Sequence, residues 1–284
     1  MEGLLLQLRN NDKKVVTENE TENIANEKTK GKGKLYIVGI GPGSVEHLTV
    51  KAKDVILNAD YVVGNDTYLD QIESLLTNQE IYRSTMGKEV DRAKEAVRLA
   101  ENYVTVMVSG GDANVYGMAG IVLEVAEKNE ISVEVEVLPG VTAMLASASV
   151  LGAPVVIDSA TISLSDLLTP WEVIEKRLKL ATEAGFIISL YNPKSRQRKS
   201  NFENAIEIIK KYRDGSVPVG LVKNALRPEG QEYIVTTLDE VLEYNDWVDM
   251  RTAIIICSED SRVWESEFGS KIITPRGYHK KYEY

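Results

Sequence analysis

The chain has 284 residues, 43% hydrophobic and 27% charged, which is ordinary for a globular protein and excludes fibrous and disordered classes. Its formal net charge of -10 at pH 7 argues against a nucleic-acid-binding protein, whose binding face is basic. One cysteine and two histidines leave no set of ligands with metal-binding spacing, so we predict no metal site and no internal disulfide.

Residues 1–33 are rich in asparagine, glutamate, lysine and threonine, a composition that predicts a flexible extension. The apolar run Leu4 to Leu8 is too short for a signal peptide and has no basic segment before it. No other apolar run is long enough to cross a membrane. We therefore expect a cytoplasmic protein with no membrane partner.

From Lys34 onward, short apolar runs alternate with amphipathic stretches, a pattern typical of α/β layers. The first half contains strands at "LYIVGI", "YVVG", "EIYR", "YVTVMVSG" and "VEVEVLPG", which favours a mostly parallel sheet. In the helix "LTVKAKDVILNA", Val50, Val55 and Ile56 are predicted to cover this sheet.

The second half places several strands next to each other, which favours a mixed sheet. These strands are "VVIDSATIS", "GFIISLYNP", "VPVGLVKNAL", "EYIVTTLDEV" and "RTAIIICSE", and Cys257 in the last of them is predicted to be buried. We predict two α/β domains, residues 34–139 and 140–277, with a tail at 278–284 and a ligand cleft between the domains.

The segment "LYIVGIGPGSVEHLTV" has the strand, glycine turn and helix of a dinucleotide-binding unit. However, Ser44 stands where that fingerprint has its third glycine, and Asp60 comes before the second strand instead of after it. Pro42 also removes an N–H that a phosphate would need. A nucleotide- or NAD-binding protein is therefore the least favoured of the functional hypotheses.

Two further turns follow predicted strands and combine glycines with polar side chains. "SGGDANVYGMAG" carries Asp112 and Tyr116, and "LPGVTAMLASAS" carries Thr142 and a run of small residues. Glycines and small side chains let a ligand approach the main chain closely. The three turns together indicate a ligand site, although Asp112 could instead cap its own loop.

The segments "GIGPG", "SGGDANVYG", "PGVTA", "LYNP" and "VKNALRPEGQEYIVTTL" resemble the tetrapyrrole methylases, from about Lys34 to about Glu259. That family transfers a methyl group from S-adenosylmethionine to a macrocycle, leaving S-adenosylhomocysteine, and its members are commonly homodimers. Ala113, where most members have proline, and "YNPKSRQR" resemble the C17-methyltransferases. Those act on precorrin-3B or cobalt-factor III and contract the ring. Another precorrin methyltransferase, or diphthine synthase, is the alternative.

The resemblance also implies site residues. Those expected to bind S-adenosylmethionine are Gly41, Pro42, Gly43, Gly110, Gly111, Asp112, Val115, Tyr116, Thr142, Ala143, Asn192 and Ala225. The tetrapyrrole substrate carries many carboxylates, which require cations. The candidates lie at predicted strand ends and are Lys194, Arg196, Arg198 and Arg227.

The sequence does not select an acid or base for ring contraction. Four residues are open candidates, namely Asp112, Tyr116, His47 and Lys88. Histidine is a common proton-transfer residue, but His47 also suits a helix start, which is the favoured interpretation.

Overall fold

A computed structural model of the chain describes residues 33–283. The extension predicted at 1–33 lies outside these residues, apart from Gly33. The first half forms a sheet of five strands, all parallel, in the order β3-β2-β4-β1-β5. The strands are β1 (Lys34–Gly39), β2 (Tyr61–Asn65), β3 (Glu80–Ser84), β4 (Val104–Ser109) and β5 (Glu134–Leu138).

Helices cover both faces of this sheet, as the nearly continuous apolar strands require. They are α1 (Val50–Leu57), α2 (Asp66–Gln71), α3 (Glu89–Ala100) and α4 (Ala119–Lys128). On one face, Met107 of β4 lies in a buried cluster with residues of α3 and α4. On the other face, Val106 lies in a cluster with residues of α1 and α2.

The predicted burial of Val50 is wrong, because this side chain is 79% exposed. Ala52 and Ile56, four residues apart, face the sheet instead. Val50 precedes Ala52 by two positions, about 200° around the helix, and so lies on the opposite side. Val55 packs against the same cluster as Ile56, as predicted.

The second half forms a mixed sheet in the order β10-β9-β11-β8-β7, in which β7 and β8 are parallel and the other pairs antiparallel. This confirms the predicted mixed sheet, although β7 begins four residues later than the quoted apolar run. The strands are β7 (Ser159–Ser163), β8 (Ile187–Tyr191), β9 (Pro218–Lys223), β10 (Glu232–Thr237) and β11 (Thr252–Ile256).

Helices α6 (Trp171–Glu183) and α7 (Asn201–Lys210) cover one face of this sheet, and α5 (Ala143–Leu151) packs on the other. Cys257 lies fully buried beneath α5, as predicted, and burial raises the pKa of its thiol to about 12.

A small third sheet follows, made of β6 (Gly152–Ala153), β12 (Arg262–Trp264) and β13 (Lys271–Ile273). Short 3-10 turns occur at Val45–His47, Glu73–Leu75, Val241–Tyr244 and Tyr278–Lys280. The domain limits at 139 and 140 stay a prediction; β5 of the first sheet ends at Leu138, and every strand of the second sheet follows Gly140.

Candidate active site

A cleft of about 920 Å³, part of it open to solvent, lies where loops of the two halves meet. From the first half it is lined by the loops that follow β1 and β4 and by α2. From the second half it is lined by the start of α5, the ends of β8 and β9 and the start of β11. Because the order of the first sheet reverses at β4 and β1, their carboxyl ends open a crevice in which α/β proteins bind ligands.

The main chain itself forms the floor of the cleft. Gly41 N–H donates to Gly111 O at 3.0 Å, and Gly111 N–H donates to Gly41 O at 2.8 Å. Both glycines have left-handed backbones, with φ of 71° and 65°. Gly140 crosses beneath them so closely that an added Cβ would lie 2.2 Å from Gly111 O. The three predicted turns therefore meet at one point, and the contact depends on glycine.

Asp112 joins two of these turns but does not line the cleft. Its Oδ2 accepts the Gly140 N–H at 2.9 Å, and its Oδ1 accepts the Asn114 N–H at 2.8 Å. Both carboxylate oxygens are thus engaged by backbone donors. This is the loop-capping arrangement that the sequence left open beside direct cofactor binding.

Asp112→Ala is expected to weaken binding of S-adenosylmethionine, the cofactor that the resemblance implies, about tenfold. The expected loss of folding stability is about 1–3 kcal/mol, because the Gly140 N–H loses a charged acceptor. Isothermal titration calorimetry and thermal unfolding measure the two effects. Asp158→Ala, at an exposed position before β7, is the matched control. Wild-type affinity in Asp112→Ala would exclude a part for this carboxylate in shaping the site.

Tyr191, at the end of β8, contacts the start of α5 within the second half. Its hydroxyl accepts the Met144 N–H at 2.6 Å and lies 2.7 Å from Thr142 Oγ1. In the contact with Thr142 either hydroxyl can be the donor. Burial raises the pKa of Tyr191, so its hydroxyl stays protonated.

Tyr116 joins the two halves, because it extends from the loop after β4 to the edge of the second sheet. Its hydroxyl accepts the Ser163 N–H and donates to Thr161 O, both at 3.0 Å. Its ring lies 5.6 Å from that of Tyr191. We call this contact the Tyr116 clasp, and it fixes one flank of the cleft.

Backbone strain is concentrated around the cleft. Tyr116, Asn192 and Asn224 line it and have φ between 50° and 53°. Non-glycine residues adopt this left-handed region at an energetic cost, and such residues cluster at functional sites. In Asn224 the surrounding hydrogen bonds hold the conformation, since Nδ2 donates to Gly230 O at 2.9 Å.

Arg227 forms the opposite flank. Its Nε donates to Pro42 O at 3.2 Å, which joins the loop after β9 to the loop after β1. Burial lowers the pKa of this guanidinium. Within residues 33–283, Arg227 has no carboxylate at ion-pair distance, whereas neighbouring Arg251 pairs with Asp249 at 2.9 Å. The terminal nitrogens of Arg227 can therefore receive an anion from a ligand.

The structure brings nearly all of the predicted cofactor residues to this cleft. Those that line it are Gly41, Pro42, Gly110, Gly111, Val115, Tyr116, Thr142, Ala143, Asn192 and Ala225. Gly43 lies just behind the lining, where an added Cβ would meet Gln71 at 3.0 Å and Arg227 Cγ at 3.2 Å. Their binding roles stay predictions.

Of the predicted substrate cations, Arg227 alone lines the cleft. Lys194 donates to Asn245 O at 2.5 Å, and Arg198 donates to Leu164 O and Asn192 O at 3.4 Å. Arg196 is exposed. Lys194 and Arg198 are engaged in holding their own loop, which the run of charges in the sequence could not reveal.

Three of the four catalytic candidates lie outside the lining, and Asp112 is one of them. His47 lies behind Gly41, in the turn Val45–His47, with its Nδ1 buried and without a hydrogen-bond partner among the described residues. Lys88 is exposed and lies 3.3 Å from Asp91. The hydroxyl of Tyr116, which does line the cleft, is committed to the clasp.

Several lining residues were not predicted from the sequence. They are Tyr68, Gln71, Ala146, Ser147, Tyr191, Val222, Asn224, Met250, Arg251, Thr252 and Ala253. Tyr68 and Gln71 belong to the helix that follows β2, so their position depends on β2 lying beside β4. The sequence feature that could have identified them is their position just after the carboxyl end of a parallel strand.

S-adenosylmethionine combines a sulfonium, an amino acid group and an adenosine. At Gly111 an added Cβ would find its nearest atom, Thr142 Cα, at 3.7 Å, so the bare glycine leaves space for a ligand. The tyrosine rings of the lining offer π faces to the sulfonium cation. The residues present therefore fit this cofactor. Among residues 33–283, no group of three or more histidine, cysteine, aspartate or glutamate side chains is placed to hold a metal.

Comparison with known proteins gives consistent results. A sequence model of the Tetrapyrrole (Corrin/Porphyrin) Methylases matches residues 34–242. The cobalamin biosynthesis protein CbiHC of Archaeoglobus fulgidus is 45% identical over 88% of this chain, and the chain spans 54% of that relative. The probable cobalt-factor III C(17)-methyltransferase of Salmonella typhimurium is 40% identical over 86% of this chain and 99% of its own length.

Among solved structures, the methyltransferase CobJ aligns with a TM-score of 0.78 and 30% identity. The alignment covers 86% of this chain and 100% of that one.

Proposed function

The chain belongs to the tetrapyrrole methylases, and on this premise we propose that it is an S-adenosylmethionine-dependent C17-methyltransferase of cobalamin biosynthesis. Its proposed substrate is precorrin-3B or cobalt-factor III, whose ring contracts as it is methylated. The observation that carries this proposal is the convergence on one cleft of motif residues from "GIGPG", "SGGDANVYG", "PGVTA", "LYNP" and "VKNAL".

The chemistry asks the protein for orientation more than for covalent help. A sulfonium methyl is already activated, so the methyl carbon passes to a substrate carbon while the carbon–sulfur bond breaks with both electrons left on sulfur. Holding the two reactants in line lowers the barrier substantially. The glycine floor allows close approach, and the Tyr116 clasp with the Arg227 contact keeps the two walls at a fixed separation.

The substrate's carboxylates are the second requirement, because this acidic protein must supply cations locally. Arg227 meets this requirement best. It lines the cleft, and within residues 33–283 its terminal nitrogens donate no hydrogen bond. Arg196, which is exposed, is proposed for the outer surface of the substrate, beyond the lining residues. Lys194 and Arg198, which donate to main-chain carbonyls, are proposed to position the loop that carries it.

Another precorrin methyltransferase or diphthine synthase is the alternative within the same fold. This chain matches nearly the whole length of the Salmonella relative. The name of that relative supports methylation at C17 over either alternative. Specificity lies in side chains around the rim, so the substrate must be tested directly.

The test is anaerobic incubation of the purified protein with S-adenosylmethionine and either cobalt-factor III or precorrin-3B, followed by mass spectrometry of the pigment. The expected product is one methyl group heavier, with the absorption change of a contracted ring. Turnover of one substrate over the other identifies the physiological form. Absence of product from both, with cofactor binding intact, would contradict the proposed substrate and favour the alternatives.

The family resemblance also supports a homodimer working in the cytoplasm. The described part of the chain has no helix that is both long and apolar enough to span a membrane. We further propose that residues 34–139 and 140–277 are its two domains and that 1–33 and 278–284 are appendages to them.

A further inference from the structure

Tyr68 occupies a fixed place in the cleft that the sequence did not predict. It lies in the first turn of α2, where Asn65 Oδ1, at the end of β2, accepts the Tyr68 N–H at 2.9 Å. Its ring lies directly against Gly110. An added Cβ there would be 2.5 Å from Tyr68 Cε1 and 3.0 Å from its hydroxyl oxygen. The ring is therefore held between the capped helix and the glycine loop after β4.

The Tyr68 hydroxyl is not used by the fold. Among residues 33–283 this hydroxyl has no hydrogen-bond partner. Its oxygen is not fully enclosed by protein atoms. A half-buried phenol normally finds a partner, because leaving it unpaired costs free energy. Burial raises its pKa, so the group is a protonated donor at neutral pH. The hydroxyl therefore faces the open cleft, where it can donate to water or to a bound ligand that displaces it.

The other two phenols of the cleft are already committed. The hydroxyl of Tyr191 accepts from Met144 and is hydrogen-bonded to Thr142, and the hydroxyl of Tyr116 bonds the main chain of β7. Both hydroxyls are therefore held by partners within the protein. Among the three phenols of the lining, Tyr68 is the one whose hydroxyl has no partner within residues 33–283.

The charge beside Tyr68 indicates what it faces. Arg227 is close enough for its positive charge to lower the pKa of the phenol, in opposition to burial. Arg227 Cγ also packs over Gly43 together with Gln71, from the same helix as Tyr68. A free O–H donor beside a guanidinium that has no carboxylate partner forms a site for an oxygen-rich, negatively charged group, such as the edge of a polycarboxylate macrocycle.

We propose that the Tyr68 hydroxyl donates a hydrogen bond to an oxygen of the bound tetrapyrrole and holds the macrocycle in line with the methyl group. This inference rests on the proposed function and names a catalytic residue for it. Arg227 holds a carboxylate of the same substrate next to Tyr68. The phenol O–H bond is not broken in this role, so no additional reactant is needed. Holding two reactants in line is among the largest contributions that a protein makes to a reaction of this kind.

Tyr68→Phe tests the proposal, because it removes the hydroxyl and keeps the ring against Gly110. The single-turnover rate with saturating S-adenosylmethionine and pigment is expected to fall about 100-fold, as when a reactant is misplaced by about 1 Å. The dissociation constant for S-adenosylmethionine is expected to stay within about twofold, since the cofactor does not contact this hydroxyl. Tyr61→Phe, in a half-buried tyrosine at the start of β2 that packs on Tyr103, is the matched control.

Gly110→Ala supplies a second variant that leaves the hydroxyl in the protein but displaces the ring, and it should lose rate as well. Equal rates in Tyr68→Phe and Tyr61→Phe would overturn the proposal. Loss of S-adenosylmethionine affinity with an unchanged rate at saturation would also overturn it, by placing the hydroxyl on the cofactor side.

Failure of the proposed function can be separated from failure of this inference. If wild-type protein and Tyr61→Phe both turn over neither pigment, the function is wrong, and Tyr68 is then judged by binding of uroporphyrin, a stable polycarboxylate tetrapyrrole. A several-fold weaker dissociation constant in Tyr68→Phe than in Tyr61→Phe supports contact with a tetrapyrrole. Equal constants, or no binding by the wild type, contradict that contact.

Discussion

Gly140→Ala is expected to abolish measurable S-adenosylmethionine binding and to lower the free energy of unfolding by about 3 kcal/mol. For a chain of this size, that corresponds to a fall in Tm of roughly 6–12 °C. The reason is steric. The new Cβ would lie 2.2 Å from Gly111 O, 2.6 Å from Gly39 O and 2.7 Å from Gly39 C, all of them main-chain atoms. Since no side chain can move aside, the turns that form the cleft floor must separate. Calorimetric titration and thermal unfolding measure the two losses.

Gly120→Ala is the control for this substitution. Gly120 lies in α4, and an added Cβ there meets no atom within 4 Å. Alanine in a helix interior is favoured over glycine by about 0.5–1 kcal/mol, so this variant should be as stable as the wild type or slightly more so. Normal cofactor affinity in Gly140→Ala would show that the close crossing of the three turns is not required for the site.

Arg227→Gln is expected to weaken binding of the tetrapyrrole about 100-fold, because a substrate carboxylate loses a partly buried cationic partner worth at least 2 kcal/mol. Arg227→Lys should recover only part of the loss, since lysine keeps the charge but cannot form the paired guanidinium contact. Pigment titration, followed by absorbance in the presence of saturating S-adenosylhomocysteine, measures the affinity.

Arg177→Gln on the exposed face of α6 is the control for a change in total charge. It removes the same charge at a residue outside the lining, so the affinity for the tetrapyrrole should fall only by the small amount due to long-range electrostatic attraction. Equal losses in Arg177→Gln and Arg227→Gln would mean that the whole field of the protein, and not a specific guanidinium, attracts the substrate.

The sequence was sufficient to predict the two kinds of sheet because each leaves its own pattern. Central strands β1, β2 and β4 of the first sheet are buried on both faces and appear as apolar runs separated by helices, whereas the antiparallel strands β9 and β10 of the second sheet follow one another without a helix between them. The glycine turns were equally readable, since the left-handed backbones of Gly41 and Gly111 and the close main-chain contact at Gly140 favour glycine. Local patterns of this kind do not depend on knowing the tertiary structure.

The parts that could not be predicted depend on which strands become neighbours. Tyr68 reaches Gly110 because β2 lies beside β4, and nothing near Tyr68 in the sequence specifies that pairing. The error at Val50 has a different cause, because helix phase was assigned from hydrophobicity alone. The cations at Lys194 and Arg198 show a third case, in which side chains suited to a ligand satisfy main-chain carbonyls instead.

The Tyr116 clasp also bears on how such a site can change its specificity over evolution. On the β7 side the clasp contacts only main-chain atoms, Thr161 O and Ser163 N–H, which every residue except proline supplies. Side chains at those two positions can therefore vary without breaking the joint between the halves. The same holds at Pro42, whose carbonyl receives Arg227. In each of these contacts between the halves, one partner is a main-chain atom, so the contact depends on the side chain of the other partner only. The side chains around the cleft that contact substrate can therefore diverge while these contacts are kept.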